Sequence, residues 1–297
     1  MLTLALSGRF TRQFNGRLGF LGLTLIYLLL VVACLGSLAK DQELSLGRNP
    51  LANLLKTAEE FARPSFVDIW VGNPKLEYHS DDGTLLRTEN RQQVEQDYLT
   101  GLAEASWTTI RIATLGSLLG ALLGLPLAIL TARNLATPKP LAWLAKGVLD
   151  VARSIHTLVF GLVLVGIVGL GPTAGILAIG LHSMGTYGKL FAEAIESLDM
   201  AAIDAVRSVG ASPIQVFFNA VWPSVLPQFV SSHLYVWEFN IRDSTVLGLI
   251  GAGGLGLLIT EATSLFQWGR LSTVLIVVIA LVVSFDALSR RIRAALT

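Results

Sequence analysis

Long apolar segments without charged residues constrain this chain more than any other feature. A helix that crosses a bilayer needs roughly 20 mostly apolar residues. Residues 18–39 and 112–132 meet that requirement, and no Asp, Glu, Lys or Arg occurs from Ser154 to Gly188. Charged residues make up 14% of the chain, whereas soluble domains carry roughly 25%. The sequence therefore predicts an all-α, polytopic integral membrane protein.

The charge-free segment from Ser154 to Gly188 is long enough for two spanning helices. We expect it to break between Gly169 and Pro172, because glycine and proline favour a turn there. Further spans are predicted at 224–237 and 271–288, which brings the count to about six under the length criterion. A signal peptide at the start is disfavoured, because the first apolar run exceeds the roughly 7–15 residues of a signal h-region.

Basic residues at the two ends predict the orientation. Arginines precede the first span at residues 9–17 and follow the last span at residues 290–293. Since cytoplasmic flanks are enriched in Lys and Arg, we place both termini in the cytoplasm. The predicted divisions are an N-terminal segment with the first helix (1–39), an extracytoplasmic loop (40–97) and a transmembrane core (98–297).

The apolar segment 244–260 is unusual because it is rich in glycine. If it crossed the membrane, the terminal arginines would lie outside, so we expect a re-entrant or bent gate element buried in protein. Part of it matches G-x-G-x-x-G, but the preceding strand and the following acid of a dinucleotide site are missing. The glycines of the predicted gate are Gly251, Gly253, Gly254 and Gly256.

Several functional classes find no support in the sequence. There is no G-x-x-x-x-G-K-[ST] phosphate loop, so we expect neither ATP hydrolysis nor a cofactor on this chain. The four histidines are scattered without ligand spacing, which argues against a metal site. No basic patch with interleaved aromatic residues indicates nucleic acid. We therefore do not expect an enzyme.

A short polar segment from Asp204 to Ser212 lies between two apolar stretches. Apolar residues from Glu193 to Val209 follow helical spacing and predict an amphipathic helix. Gly210 suits its C-terminal cap, and Pro213 suits the first turn of a following helix. The pattern predicts a helix, a sharp corner and a helix on the cytoplasmic side; an interfacial linker between two spans is the alternative.

The corner resembles the cytoplasmic coupling loop of ABC importer permeases, written E-A-A, three residues, Gly, nine residues, I-x-L-P. The acid, the first alanine, the glycine and the proline are in register here, while Ala220 and Trp222 replace the Ile and Leu. The resemblance implies a coupling helix near residues 199–213 that docks into an ATPase subunit. The implied coupling residues are Asp204, Ala205, Arg207, Gly210, Ala211, Ser212 and Pro223.

The run from Trp237 to Gly248, with the glycines that follow, is similar to a string in phosphonate importer permeases (E-x-N-x-R-x-[S/A]-T-V-x-G). The likeness covers about residue 97 to the end. It implies a bacterial inner-membrane homodimer that works with two ATPases, which hold ATP and magnesium, and a periplasmic binding protein. The implied cargo is phosphonate, phosphite or hypophosphite. A methionine-type or other small-solute permease remains the alternative, followed by a secondary transporter or channel.

Polar residues near the predicted gate are candidates for the substrate pathway. The guanidinium of Arg242 suits phosphorus oxygens, yet Glu238 lies four residues before it, and we favour a helical salt bridge. His182 and Ser183 either face the pathway or form hydrogen bonds between helices. The full candidate set is Glu238, Asn240, Arg242, Ser244, Thr245, His182 and Ser183.

Overall fold

A computed structural model describes residues 3–40, 49–67, 70, 75–79, 84–135 and 137–296. The chain divides into two compact units, Met1–Thr57 and Ala58–Thr297. In the first unit, helix α1 (Thr3–Lys40) exposes its apolar side chains from Phe20 onward. A helix that is apolar on all sides is typical of a membrane span.

The region before the core contains short elements. Helix α2 (Pro50–Phe61) comes first, and a 3₁₀ turn follows at Ser65–Val67. Strands β1 (Lys75–His79) and β2 (Leu85–Asn90) form an antiparallel hairpin that the sequence analysis did not predict.

The core begins with a long helix, α3 (Arg91–Thr131), capped where the Gln92 amide donates to the Asn90 side chain. Its 41 residues extend about 60 Å, so it exceeds the bilayer core, and the predicted boundary between residues 97 and 98 falls inside it. The remaining helices are α4 (Lys139–Ser154), α5 (Thr157–Val168), α6 (Pro172–Glu196), α7 (Met200–Ser208), α8 (Pro213–Val216), α9 (Trp222–Leu247), α10 (Leu255–Ser264) and α11 (Trp268–Leu296).

Two short π-helical segments, Phe217–Val221 and Gly248–Ala252, lie at the two ends of α9. The turn predicted between Gly169 and Pro172 is confirmed, because it separates α5 from α6 with positive φ at Gly169 and Gly171. Helices α4 and α5 meet at a bend of 92°, and the α9 region meets α10 at 57°. The sequence analysis had missed α4 as a helix.

Three described helices, α1, α3 and α11, are long and apolar enough to span a membrane, or up to five spans if each bent pair counts as one. Helix α6 has 25 residues but is not among the helices that meet this criterion. The sequence analysis had predicted two spans between Ser154 and Gly188, a segment that includes most of α6. Many of its residues are buried against other helices, where small and polar side chains are favoured over a fully apolar surface. The count of six spans stays a prediction.

Helices α3 and α6 pack against each other along a glycine-lined contact, here called the α3–α6 seam. On α3, Gly116, Gly120 and Gly124 recur every fourth residue, the small-residue spacing that lets membrane helices approach closely. A Cβ added at Gly120 would lie 2.8 Å from the Ser183 Cβ. The seam therefore requires glycine because there is no room for a side chain.

Candidate functional site

The predicted corner begins with a helix break that the sequence analysis did not expect. One helix was predicted from Glu193 to Val209, but α6 ends at Glu196 and α7 starts at Met200. Asp199 causes the restart, because its carboxylate accepts a 3.0 Å hydrogen bond from the Ala201 amide. An N-cap of this kind satisfies a donor that the first helical turn leaves unpaired. Asp199 is therefore the capping acid of α7, and Asp204 lies inside that helix.

Gly210 forms the sharp turn, as predicted. Its φ is +82°, and its amide donates to the Arg207 carbonyl at 2.9 Å. An added Cβ would meet no atom within 4 Å, so the left-handed backbone alone favours glycine here. The following helix α8 starts at Pro213, also as predicted.

A reciprocal cap after Gly210 was missed. The Ser212 amide donates to the Gln215 side chain at 2.8 Å, and the Gln215 amide donates to the Ser212 hydroxyl at 3.4 Å. This is the capping-box arrangement, and Ser-x-x-Gln in the sequence was its available signal. The cap fixes the direction in which the chain leaves the corner.

The inner face of the corner is packed and its outer face is open. Ile203 is buried against Val216 and Val221, whereas Val209, predicted on the apolar face, is 82% exposed. The break at residues 197–199 changes which side chains of α7 point inward. On the outer face, Asp204 and Arg207 form a 3.3 Å ion pair. The outer face also exposes Val209, Ile214 and Phe218, and of the predicted coupling residues only Ala211 is partly covered.

A buried polar clasp joins α3, α6 and α9. The Asn240 amide nitrogen donates to the Ser117 hydroxyl at 2.7 Å and to the Ser183 hydroxyl at 2.9 Å. All three side chains are almost fully buried. Buried polar groups require such partners, so Asn240 and Ser183 hold helices together within the single chain. Ser117 was missed because its role depends on a residue 123 positions away.

Three predicted pathway residues lie around one cavity of 200 Å³. His182, Ser183 and Asn240 line it, together with Thr186, Val236 and two aromatic side chains, Tyr235 and Phe239. The His182 Nδ1 lies 2.8 Å from the Ile155 carbonyl, at the bend between α4 and α5. The aromatic residues were missed because nothing local distinguishes them from lipid-facing side chains.

The remaining predicted pathway residues lie elsewhere. Glu238 is 14% exposed and pairs at 3.5 Å with both Arg242 and Arg293, which links α9 to α11. This geometry agrees with the salt bridge that the sequence analysis favoured. Ser244 and Thr245 are buried and donate to the Ile241 carbonyl. A pathway role for these four predicted residues stays a prediction.

The glycine-rich segment is bent, as predicted, and its core is buried. Gly251, Gly253 and Gly254 all have positive φ. A Cβ on Gly248 would lie 2.6 Å from the Gly256 Cα, so the backbone before the bend lies in close contact with the backbone after it. Thr109 on α3 accepts a 2.9 Å hydrogen bond from the Leu255 amide and thereby caps α10. Such irregular backbone is tolerated at membrane depth where protein surrounds it.

Among the described residues, no group of three or more His, Cys, Asp or Glu side chains is arranged to hold a metal ion.

Comparison with known proteins supports a transport component. Residues 124–297 match the family described as binding-protein-dependent transport system inner membrane component. The chain is 40% identical over 185 residues to the putative phosphite transport system permease protein HtxC of Stutzerimonas stutzeri, covering 62% of this chain and 66% of that protein. It is 36% identical over 195 residues to the phosphate-import permease protein PhnE of Mycolicibacterium smegmatis, covering 66% of this chain and 37% of that protein.

A solved structure of the MetNI methionine ABC transporter in an inward-facing conformation matches with a TM-score of 0.61 at 22% identity, covering 68% of this chain and 98% of that chain. This likeness shows the fold, an all-α polytopic membrane protein. The match to HtxC spans just under two thirds of that protein. The family is one of transport subunits rather than enzymes. The chain belongs to the family of binding-protein-dependent transport system inner membrane components, which are multi-pass proteins of the inner membrane.

Proposed function

We propose that this chain is the permease subunit of an ATP-driven importer for phosphonate or a related phosphorus oxyanion such as phosphite or hypophosphite. The observation that carries the proposal is the 40% identity to a putative phosphite permease over 185 residues. The phosphate-import name of the mycobacterial relative supports the same class of cargo. Alternating access of the membrane helices would move the anion, with ATP hydrolysed on another subunit.

The corner around Gly210 supports coupling to that subunit. Its exposed side chains combine the Asp204–Arg207 ion pair with apolar groups at Val209, Ile214 and Phe218. Exposed apolar groups beside charges are typical of a protein interaction surface. In each copy of this chain the coupling residues would contact one of two ATPase subunits. ATP and magnesium would bind to those ATPase subunits rather than to this chain.

The proposed importer also contains a second copy of this chain and a periplasmic binding protein. Two copies of this chain would form a homodimer with the pathway near its two-fold axis, and a periplasmic binding protein would deliver the anion to the outer face. Both termini would lie in the cytoplasm, with residues 40–97 outside and 98–297 as the transporting core. His182, Ser183 and Asn240 would line the pathway at the 200 Å³ cavity, and the glycine-rich bend would form the gate.

Gly210→Val tests the coupling part of the proposal. The valine disfavours the left-handed backbone of the turn, because a side chain there clashes with the following carbonyl. We expect normal membrane insertion but loss of ATPase copurification and of uptake in cells. Gly101→Val on α3 is the matched control, since an added Cβ there also meets no atom within 4 Å, at an ordinary helical φ. Normal uptake by Gly210→Val would contradict a docking role.

Competition for uptake tests the cargo. Cells that depend on this importer should take up labelled phosphite or 2-aminoethylphosphonate, and an excess of unlabelled phosphorus oxyanion should block the uptake. Competition by methionine instead would favour the methionine-type alternative. Uptake without any ATPase partner would favour a secondary transporter or channel.

A further inference from the structure

One face of α6 carries a continuous row of polar side chains. His182, Thr186, Lys189, Glu193 and Glu196 are separated by four, three, four and three residues. Residues with that spacing share one face, because an α-helix repeats every 3.6 residues. The first two line the 200 Å³ cavity, and the last three line a second cavity of 340 Å³ at the end of α6 that leads into the corner.

Helix α4 supplies the opposite wall of this second cavity. Lys146, Asp150 and Arg153 line it with the same helical spacing. The two helices touch at a glycine notch, where a Cβ on Gly185 would lie 2.6 Å from the Leu149 carbonyl. Because the backbones of α4 and α6 meet at this notch, the charged side chains of both helices surround the second cavity.

The second cavity, here called the inner cavity, is lined by both signs of charge. Four cationic side chains and three carboxylates face it, leaving an excess of one positive charge. Arg153 pairs with Asp150 at 2.8 Å, while Lys189–Glu193 and Arg133–Glu196 are long pairs at 3.7 and 3.9 Å.

Among the described residues, no ion pair within 4.0 Å involves Lys146. The exposed Lys146 ammonium is therefore available to an anionic group. Glu196 Oε1 already accepts a 2.9 Å hydrogen bond from the Arg133 amide, but the carboxylates of the two long pairs can accept further hydrogen bonds.

We propose that the inner cavity binds a small aminated phosphorus oxyanion, which reaches it along the polar row of α6. A phosphoryl-type group carries about −1.5 to −2 at pH 7, so with one ammonium the ligand keeps a net charge near −1, opposite to that of the lining. Lys146 and Lys189 contact the phosphorus oxygens, and Glu193 and Glu196 accept from the ammonium. The inference rests on the proposed function and gives that importer a second, inner site.

The requirement for both charged groups distinguishes this site from a simple anion patch. Methylphosphonate lacks the ammonium and ethanolamine lacks the oxyanion, so each makes only half of the contacts. Charge-assisted hydrogen bonds are among the stronger polar contacts, and the loss of one lowers affinity by about tenfold. The cavity volume of 340 Å³ accommodates a ligand of this size together with water.

The test is equilibrium binding of 2-aminoethylphosphonate to the full-length chain in phosphatidylcholine nanodiscs. We expect Lys146→Gln to weaken binding by about tenfold, and Lys146→Arg to retain most of it because the charge remains. Lys139→Gln is the matched control, since Lys139 lies on the same helix outside the cavity lining. Glu193→Gln should remove the preference for 2-aminoethylphosphonate over methylphosphonate. Unchanged binding by Lys146→Gln would overturn the proposal.

Two further arms separate the sources of failure. Nanodiscs that contain phosphatidylethanolamine present the same phosphate and ammonium groups on a lipid; if they abolish binding of the free ligand, the cavity holds a lipid headgroup and the proposal is wrong. Uptake is measured in parallel. If phosphorus oxyanions are transported but Lys146→Gln binds normally, the inner site fails and the proposed function stands. If none is transported, both fail.

Discussion

The α3–α6 seam and the corner around Gly210 both depend on glycine, but for different physical reasons. At the seam, a Cβ on Gly120 would meet Ser183 and the backbone of α6 within about 3 Å, so space is limiting. At the corner, a Cβ on Gly210 would meet no atom within 4 Å, and the φ of +82° is limiting. Glycine therefore indicates close packing in one region and a sharp turn in the other.

The polar residues of the two regions differ in the same way. Asn240 on α9 is buried beside the seam and donates to Ser117 on α3 and to Ser183 on α6. Asp204 at the corner is exposed and pairs with Arg207 three residues on. The polar groups at the seam thus hold helices together, whereas the polar and apolar groups of the corner remain accessible to a partner. The predictions below separate these two uses.

Removing the polar clasp should have the largest effect on stability. Asn240→Ala leaves the buried Ser117 and Ser183 hydroxyls without their partner, which costs about 3 kcal/mol of unfolding free energy. The measurement is the denaturation midpoint in detergent. Asn219→Ala, at an exposed position, is the control and should change stability by less than about 0.5 kcal/mol. Equal effects would remove the distinction between buried and exposed polar groups.

Filling the seam should have the next largest effect. Gly120→Ala inserts a Cβ 2.8 Å from the Ser183 Cβ and should destabilise the chain by about 2 kcal/mol. Gly101→Ala on the same helix meets no atom within 4 Å and should stabilise it by up to about 1 kcal/mol. The opposite signs are the signature of limiting space. If both variants are stabilising, the seam is looser than the structure indicates.

At the corner, the same substitution should act through the backbone. Gly210→Ala costs about 1 kcal/mol because a left-handed φ disfavours a Cβ, although the space is empty. Gly210→Asn should cost less, since asparagine tolerates this conformation. Thermal denaturation gives the order of the two variants. A loss as large for Asn as for Ala would mean that a hidden contact, rather than φ, demands glycine.

The smallest change in stability is expected at Asp204. Its exposed ion pair with Arg207 contributes at most about 0.5 kcal/mol, so Asp204→Asn should denature almost as the unaltered chain does. ATPase copurification should nevertheless fall if the corner docks through this acid. Asp286→Asn, which breaks a helical ion pair on α11 whose carboxylate is half-buried, is the control for the loss of such a pair. Normal ATPase binding by Asp204→Asn would place the docking contact on the apolar side chains instead.

Local signals made the corner predictable from sequence, and long-range contacts limited the rest. Gly210 and Pro213 were placed correctly because caps depend on neighbouring residues. The helix break at Asp199 was missed because the helical spacing of apolar residues continues across it. Ser117 was missed as the partner of Asn240 because only the fold brings them together. The bent glycine-rich segment was predicted because a full membrane crossing by this segment would have placed the terminal arginines outside the cytoplasm.

The inner cavity was beyond sequence reasoning for the same cause. Its lining comes from α4 and two other segments, and α4 itself was not predicted as a helix. The cavity brings the positive charges of Lys146 and Arg153 together on α4. Their meeting with Glu193 across the glycine notch is a tertiary feature.

The central claim is that this chain couples ATP hydrolysis on a partner to import of a phosphorus oxyanion. The most direct measurement is the ATPase activity of the chain reconstituted with an ATPase subunit and a binding protein encoded beside it, with and without 2-aminoethylphosphonate. The account predicts that the complex assembles and that the loaded binding protein stimulates hydrolysis, with loss of stimulation in Gly210→Val. Failure of the chain to bind any ATPase subunit would contradict it.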